Sequence, residues 1–148
     1  MDMDTQKTRA SAWFEDLRDQ ICSSFEALED ALESGPQAGL APGRFLRKPT
    51  RRQGEAGEDA GGGVMSVMKG RVFEKVGVNI STVHGTLSAA ARASMRARKD
   101  MGGIDDDPRF WAAGISDIPY PRAMSGFKTS YAVCASASLI LAGLGTLK

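Results

Sequence analysis

The sequence predicts an α+β fold in which an antiparallel sheet is flanked by helices. Three observations support this prediction. Apolar residues before Gly35 recur at the three- and four-residue spacing of a helix. From Val64 the apolar period changes to two, which is typical of strands. An alanine-rich helical stretch then separates these strands from a further apolar segment at 110–116. The chain of 148 residues, 42% of them hydrophobic, is long enough for one domain with an ordinary core.

The near-neutral net charge argues against functions that depend on a strong overall electrostatic field. The formal net charge is +1, which gives no general field that would attract a nucleic acid or an acidic substrate. The charge is nevertheless uneven, because residues 1–34 hold nine acidic and three basic residues, whereas residues 35–52 hold five basic residues and no acidic one.

Cysteine usage and the N-terminal sequence both indicate a cytoplasmic location. Cys22 and Cys134 are far apart, and with a single histidine they cannot supply the four ligands of a zinc site. We therefore expect reduced thiols and no metal site. The N-terminal sequence MDMDTQKTR has neither the basic start and apolar run of a signal peptide nor the arginine-rich composition of a transit peptide.

The first predicted helix has one broad apolar face and ends at Gly35-Pro36. Its apolar residues are Trp13, Phe14, Leu17, Ile21, Phe25, Leu28 and Leu32. Its acidic residues, which we place largely on the other faces, are Glu15, Asp16, Asp19, Glu26, Glu29, Asp30 and Glu33. We expect the apolar face to pack on its own domain rather than on a partner, with Cys22 as an inert buried filler at its edge.

Residues 35–63 are predicted to form a loop, because prolines open it and glycines close it. Its basic centre, Arg44 to Arg52, is suited either to binding phosphates or carboxylates, or to pairing with the acidic helix. The second interpretation is favoured, because only Phe45 supplies an aromatic ring among these bases, unlike a nucleic-acid-binding surface.

The strand prediction rests on alternating residues with a hairpin corner at Lys69-Gly70 and a further break near Gly77. These alternating residues are Val64, Ser66, Met68, Val72, Glu74, Val76, Val78, Ile80 and Thr82. The β-branched run from Asn79 to Val83 predicts a strand that ends at Gly85. The three glycines at 61–63 match no phosphate-binding loop and are expected to be a flexible entry to the sheet.

Ser88 is a predicted N-cap for a helix over Ala89–Arg98. The glycines at 102 and 103 are expected to end that helix. Asp105–Asp107 with Pro108 are expected to form a turn rather than a calcium loop. Residues 110–116 are expected to form the first part of another strand. The uncharged run Tyr131–Leu147 is shorter than the roughly 20 residues of a membrane span. A small-residue helix or an unpacked tail is expected there instead.

His84 is the one side chain able to act as a general acid or base near neutral pH. It stands at a strand end, from which side chains often reach a cleft. No carboxylate close in sequence orients it, so a structural role is the alternative.

Three segments, taken in order and at their spacings, resemble the N-terminal part of one enzyme family. They are TRASAWFEDLRDQICSSFEALE, PGRFLRKPTRRQGEAGEDAGGGVMSVMKGRVFEKVGVNISTVHG and FWAAGIS. From about Thr8 to Ser116 the chain is similar to the oxygen-dependent coproporphyrinogen III oxidases, and the block from Gly61 to Gly85 is the most specific part of the likeness.

The resemblance implies oxidative decarboxylation of two propionates of coproporphyrinogen III, giving protoporphyrinogen IX in haem synthesis, with molecular oxygen as co-substrate. It implies a homodimer with no required organic cofactor, although some bacterial members are described with a divalent metal. From the near-neutral charge and the short apolar run, rather than from the resemblance, we also expect no nucleic-acid partner and no membrane span. The resemblance also implies that Ser116 contacts the substrate.

The likeness stops after Ser116. Where the family has a Leu-Val-x-His run and then a His-x-Asn-x-Arg segment, which supply the proton donor and a substrate arginine, the chain has Asp117 to Pro121, with Tyr120 at the first histidine position. Thr50 also departs, since a tryptophan usually follows the Lys-Pro there.

We therefore divide the chain into a family part at 1–116 and a divergent tail at 117–148. We expect the isolated chain to be inactive. We assign no catalytic residue, because the position of the family's proton donor holds no histidine here. The alternatives are a non-enzymatic paralogue that binds porphyrinogen or a full-length oxidase, and a membrane-tethered module.

Overall fold

The computed structural model describes residues 2–98, 106–122 and 135–142. The two helices are α1 (Met3–Asp30) and α2 (Ala89–Arg98). The five strands are β1 (Leu46–Gln53), β2 (Asp59–Met68), β3 (Phe73–Thr86), β4 (Arg109–Pro121) and β5 (Ala135–Ala142). All neighbouring strands are antiparallel, and they lie in the sheet in chain order. The α+β prediction is confirmed.

Helix α1 packs on one face of the sheet and forms the core with it. Asp2 caps the helix by accepting a hydrogen bond from the Thr5 backbone N–H at 2.9 Å. Phe14 and Cys22 are buried against the strands, so the apolar face packs on its own domain as predicted. Burial raises the pKa of the Cys22 thiol, which fits an inert filler. Trp13 and Leu28, expected on the packed face, are instead exposed.

Strand register assigns each side chain to one of two faces. Residues paired across antiparallel strands point to the same side, so the pair Ile80 and Ile115 marks the face covered by α1. The other face is here called the distal face. In β1 to β4 it consists of Leu46, Lys48, Thr50, Gly61, Gly63, Met65, Val67, Lys75, Gly77, Asn79, Ser81, Val83, Gly85, Phe110, Ala112, Gly114, Ser116, Ile118 and Tyr120. None of these distal-face residues is buried.

The loop predicted over 35–63 is partly wrong. It contains all of β1 and the first five residues of β2. Strand β1 is at the edge of the sheet, and all its residues are exposed. An edge strand tolerates Pro49 and a run of basic side chains, which also protect it from pairing with other chains. Without a buried side, the strand shows no alternation for sequence reasoning to detect.

Two of the basic residues pair with the acidic helix, as the favoured interpretation predicted. Arg44 lies 2.7 Å from the Asp30 carboxylate, and Arg47 lies 2.9 Å from the Asp19 carboxylate. Exposed ion pairs of this kind contribute at most about 1 kcal/mol each. Within the described ranges, the side chains of Lys48, Arg51 and Arg52 form no hydrogen bond or ion pair.

The glycines at 61–63 are not a flexible entry to the sheet, because they lie within β2. Gly62 and Gly63 pair with both neighbouring strands, and Gly61 pairs with β3. A Cβ atom on Gly62 would overlap the Thr50 carbonyl oxygen, and one on Gly63 would overlap the Ile80 carbonyl oxygen. The glycines are therefore needed for close approach of three backbones.

The hairpin corner at Lys69-Gly70 is confirmed, with the Gly70 N–H donating to the Phe73 carbonyl at 2.9 Å. The predicted break near Gly77 is wrong, since β3 continues through it. A register shift between Phe73 and Lys75 explains why Phe73 enters the core. Its ring packs edge-on against Phe25, with centroids 5.0 Å apart.

The second helix begins as predicted, with the Ser88 hydroxyl accepting a hydrogen bond from the Ala91 N–H at 3.2 Å. The strand predicted at 110–116 is also confirmed and continues to Pro121. The prediction of a helix or unpacked tail within Tyr131–Leu147 is wrong for Ala135–Ala142, which pairs with β4 as β5. Gly102, Gly103, Asp105 and Cys134 lie outside the described residues.

Neither of the helices in the described parts of the chain is long and apolar enough to cross a membrane.

Candidate functional site

Ser116 lies near the middle of β4, on the distal face. Its register partners are Asn79 of β3 and Ser136 of β5. It is half-buried, and its neighbour Ile115 points the opposite way into the core. The structure thus presents the residue expected to contact substrate on the side of the sheet that α1 leaves uncovered.

The distal face around Ser116 is built from small residues. Gly77 and Ser81 flank Asn79 on β3, while Ala112 and Gly114 precede Ser116 on β4. A Cβ atom added at Gly77 would meet only the Asn79 side-chain nitrogen, at 3.8 Å. Few side chains therefore rise above the backbone here, and the surface is suited to a broad ring-shaped ligand.

The β1 side of the distal face adds apolar surface and a cation. Leu46 is 79% exposed and Met65 is 40% exposed. Lys48 is the register partner of Met65, so its side chain leaves the sheet on the same face as this apolar area. An apolar ring that carries peripheral carboxylates matches this combination, because the ring covers carbon surface while an acid group pairs with the lysine.

His84 lies elsewhere, in a cleft of about 650 Å³ between the start of α1 and the end of the β3–β4 pair. The lining residues are Met3, Asp4, Lys7, His84, Gly85, Thr86, Asp107, Arg109, Phe110 and Trp111. Its register partner Trp111 points to the α1 face, five residues and therefore about 17 Å along β4 from Ser116. The structure does not bring His84 and Ser116 into one site.

The charged groups around His84 are paired with one another. The Lys7 ammonium lies 3.2 Å from the Asp4 carboxylate. Arg109 donates two hydrogen bonds to Asp107, at 2.8 and 2.6 Å, and these hold the pKa of Asp107 at about 2. His84 forms no hydrogen bond with any residue in the described ranges, so none of their carboxylates orients it. An acid–base role for His84 stays a prediction.

Within the described ranges, no three His, Cys, Asp or Glu side chains come together in a way that would hold a metal ion. Of the aspartates predicted to form a turn, Asp106 is in a turn and Asp107 is paired with Arg109.

A buried carboxylate at the end of α1 was missed by sequence reasoning. Glu29 is fully buried. One carboxylate oxygen accepts from the Gly43 and Arg71 N–H groups at 3.0 and 2.6 Å, and the other from the Val72 and Phe73 N–H groups at 2.9 Å each. Burial raises the pKa of Glu29, but these four hydrogen bonds outweigh it, and the net pKa lies below the usual value.

Two arginines complete this corner. Arg71 donates from its guanidinium to the carbonyls of Glu29 at 2.7 Å, Asp30 at 3.1 Å and Ala38 at 3.0 Å, so it caps the C-terminal end of α1. Arg122, just beyond β4, donates to the Gly70 carbonyl at 2.8 Å. The corner ties α1, the β2–β3 turn and the end of β4 together, and so fixes the sheet that carries Ser116.

Comparison with known proteins locates the chain in one family. A sequence model described as coproporphyrinogen III oxidase matches residues 9–125. The oxygen-dependent coproporphyrinogen-III oxidase of Rickettsia bellii (strain RML369-C) is 50% identical over 113 residues, which cover 76% of this chain and 36% of the relative. The enzyme of the same name from Rickettsia peacockii (strain Rustic) is 46% identical over 117 residues, covering 79% of this chain and 37% of the relative.

The chain spans just over a third of the length of these relatives. The family match continues past Ser116 to residue 125, as β4 continues to Pro121. The division into a family part at 1–116 and a divergent tail at 117–148 stays a prediction.

Proposed function

Because the chain belongs to the coproporphyrinogen III oxidase family, we propose that it forms the substrate-bearing sheet of an oxygen-dependent oxidase acting on coproporphyrinogen III. The observation that carries the proposal is the position of Ser116. It lies on a half-buried, small-residue surface that α1 does not cover, with a lysine and exposed apolar side chains nearby. In contrast, the His84 cleft is lined by charges that already neutralise one another.

In the proposed reaction, two propionate side chains of the substrate become vinyl groups. Each propionic acid loses its carboxyl carbon as carbon dioxide and gives two electrons and two protons to molecular oxygen. Two propionates together supply the four electrons and four protons that reduce one oxygen molecule to two water molecules. The atoms balance without an organic cofactor. The role proposed for the chain is to bind and orient the macrocycle, with Ser116 touching it.

We propose that the proton donor and the substrate arginine are supplied by the family segments that follow the Ser116 position, which residues 117–121 of this chain do not resemble. Asp117 to Pro121 contains neither a histidine nor an arginine. Guanidinium groups bind carboxylates bidentately, and their loss removes the groups that stabilise a polyanionic transition state. A homodimer and a cytoplasmic location, both expected from the sequence, stay predictions, and so does the expectation that no cofactor is required.

A turnover assay tests this proposal. The purified 148-residue polypeptide, incubated in air with coproporphyrinogen III, is expected to form no protoporphyrinogen IX above the no-protein control. When the same protein preparation is mixed with coproporphyrinogen III without oxygen and ultrafiltered, the protein is expected to retain part of the coproporphyrinogen. Product formation by the polypeptide would contradict the assignment of the acid and the arginine to residues outside it.

A chimera is the variant for which turnover is expected in the same assay. Residues 1–116 are joined to the downstream sequence of the Rickettsia bellii relative, and turnover is expected. Ser116→Ala in the chimera is expected to lower kcat/KM about tenfold through loss of one substrate contact. A folded but inactive chimera would contradict the proposed function, and would favour a non-enzymatic porphyrinogen-binding protein if the polypeptide alone still bound the substrate.

A further inference from the structure

Asn79 has an acceptor that the protein leaves unused. Its side-chain Oδ1 is shielded from solvent yet accepts no hydrogen bond from any described residue. A buried acceptor without a partner costs about 1–3 kcal/mol, so native proteins rarely keep one without a reason. The Ser66 hydroxyl shares this condition, but it is fully enclosed on the α1 face, where a ligand on the distal face does not reach it.

The unused acceptor is next to Ser116. Asn79 and Ser116 are register partners on β3 and β4, so their Cβ atoms lie about 4.5–5.5 Å apart on the distal face. The side chains of Asn79 and Ser116 form no hydrogen bond with each other. The two side chains therefore place one amide and one hydroxyl at adjacent positions. The amide oxygen is shielded as it stands, and a change in the side-chain torsions of Asn79 is needed to present it to a ligand.

The neighbouring positions allow a ring to approach that oxygen. Gly77 and Gly114 each lie two residues from the pair along their strands, and neither carries a side chain that would hold a ring-shaped ligand away from the sheet. An amide oxygen in such a place selects a donor that tilts out of the mean plane of a puckered ring, as the saturated methylene bridges between the pyrroles of a porphyrinogen allow. Each pyrrole ring of a porphyrinogen carries one such N–H donor.

We propose that Asn79 is a further substrate-binding residue, whose Oδ1 accepts a hydrogen bond from a pyrrole N–H of the tetrapyrrole while Ser116 touches the same ring system. This inference rests on the proposed function and assigns a second contact within that site. It also explains why a polar side chain stands in the middle of a strand whose next residues on the same face are glycine and serine.

Anaerobic binding of coproporphyrinogen III to the whole 148-residue chain tests the inference. Bound and free ligand are separated by ultrafiltration, oxidised to coproporphyrin and measured by fluorescence. Asn79→Leu is expected to weaken binding about tenfold, whereas Gln53→Leu, the same amide-to-leucine change at the exposed end of β1, is expected to leave it within about twofold. The urea midpoint of Asn79→Leu is expected to equal or exceed that of the wild type, because the unused acceptor is gone.

The outcomes separate the two claims. Unchanged binding by Asn79→Leu, with wild-type binding intact, would overturn the role of Asn79 alone. Weakened binding together with a lowered urea midpoint would show a structural role and would also overturn it. No binding by the wild type would overturn the proposed function and this inference with it. If circular dichroism shows that Asn79→Leu is not folded, Asn79→Ala takes its place in the same comparison.

Discussion

Glu29→Ala is expected to lower the free energy of unfolding by about 3–5 kcal/mol, a large part of the roughly 5–15 kcal/mol available to a domain. The change leaves the N–H groups of Gly43, Arg71, Val72 and Phe73 without their acceptor in a fully buried position. Each such donor costs about 1–3 kcal/mol unless water reaches it. Urea unfolding monitored by circular dichroism measures the loss.

The matched control is Glu33→Ala, which removes an exposed carboxylate near the same end of α1. It is expected to change the free energy of unfolding by less than about 0.5 kcal/mol. Glu29→Gln is expected to fall between the two, because the amide keeps one acceptor oxygen but turns an NH₂ group toward two N–H donors. Equal urea midpoints for Glu29→Ala and wild type would show that this corner does not hold the fold.

The same carboxylate sets a pH dependence. The pKa of Glu29 is lowered in the folded state from its ordinary value of 4.5. A group of this kind contributes its full stabilisation above the unfolded pKa and loses it as the pH falls through the folded pKa. The wild type is therefore expected to lose stability on acidification below pH 4.5 more steeply than Glu29→Gln.

Gly63→Ala is expected to lower the free energy of unfolding by about 2 kcal/mol, because the added Cβ overlaps the carbonyl oxygen of Ile80 on the neighbouring strand. Backbone of the sheet must move to admit it, and Val64 and Ile80, paired next to it, move with it. Gly39→Ala is the control, since a Cβ at Gly39 meets nothing within 4 Å. That variant is expected to be neutral or up to about 1 kcal/mol more stable. Equal losses for the two variants would contradict a special role for Gly63.

Elements with a local periodic signal could be predicted from the sequence. Helix α1, the corner at Lys69-Gly70 and the Ser88 cap each depend on residues close together in the chain. The strands β1 and β5 could not be predicted in this way, because a strand forms only when a neighbour supplies its hydrogen bonds. Strand β1 is exposed on both sides, and β5 joins a short Ala-Ser alternation to an aliphatic run, so neither has a clear period of two along its whole length.

The candidate site shows the same limit. Ser116 was expected from the family resemblance, but its proximity to Asn79 is a property of the β3–β4 register. Glu29 was placed among the exposed acids, although it follows Phe25 by four residues and so continues the apolar stripe. Its hydrogen-bond partners lie 14 and 42–44 residues away in the sequence and are backbone groups. No pattern of side chains in the sequence therefore predicts them.

The central claim is that the distal face, and not the His84 cleft, receives the substrate. An ¹⁵N NMR titration of the 148-residue chain with coproporphyrinogen III under argon tests this claim most directly. The account predicts that the largest amide shift changes fall on Gly77, Asn79, Gly114 and Ser116. Changes concentrated instead at His84 and the other residues of its cleft would contradict it.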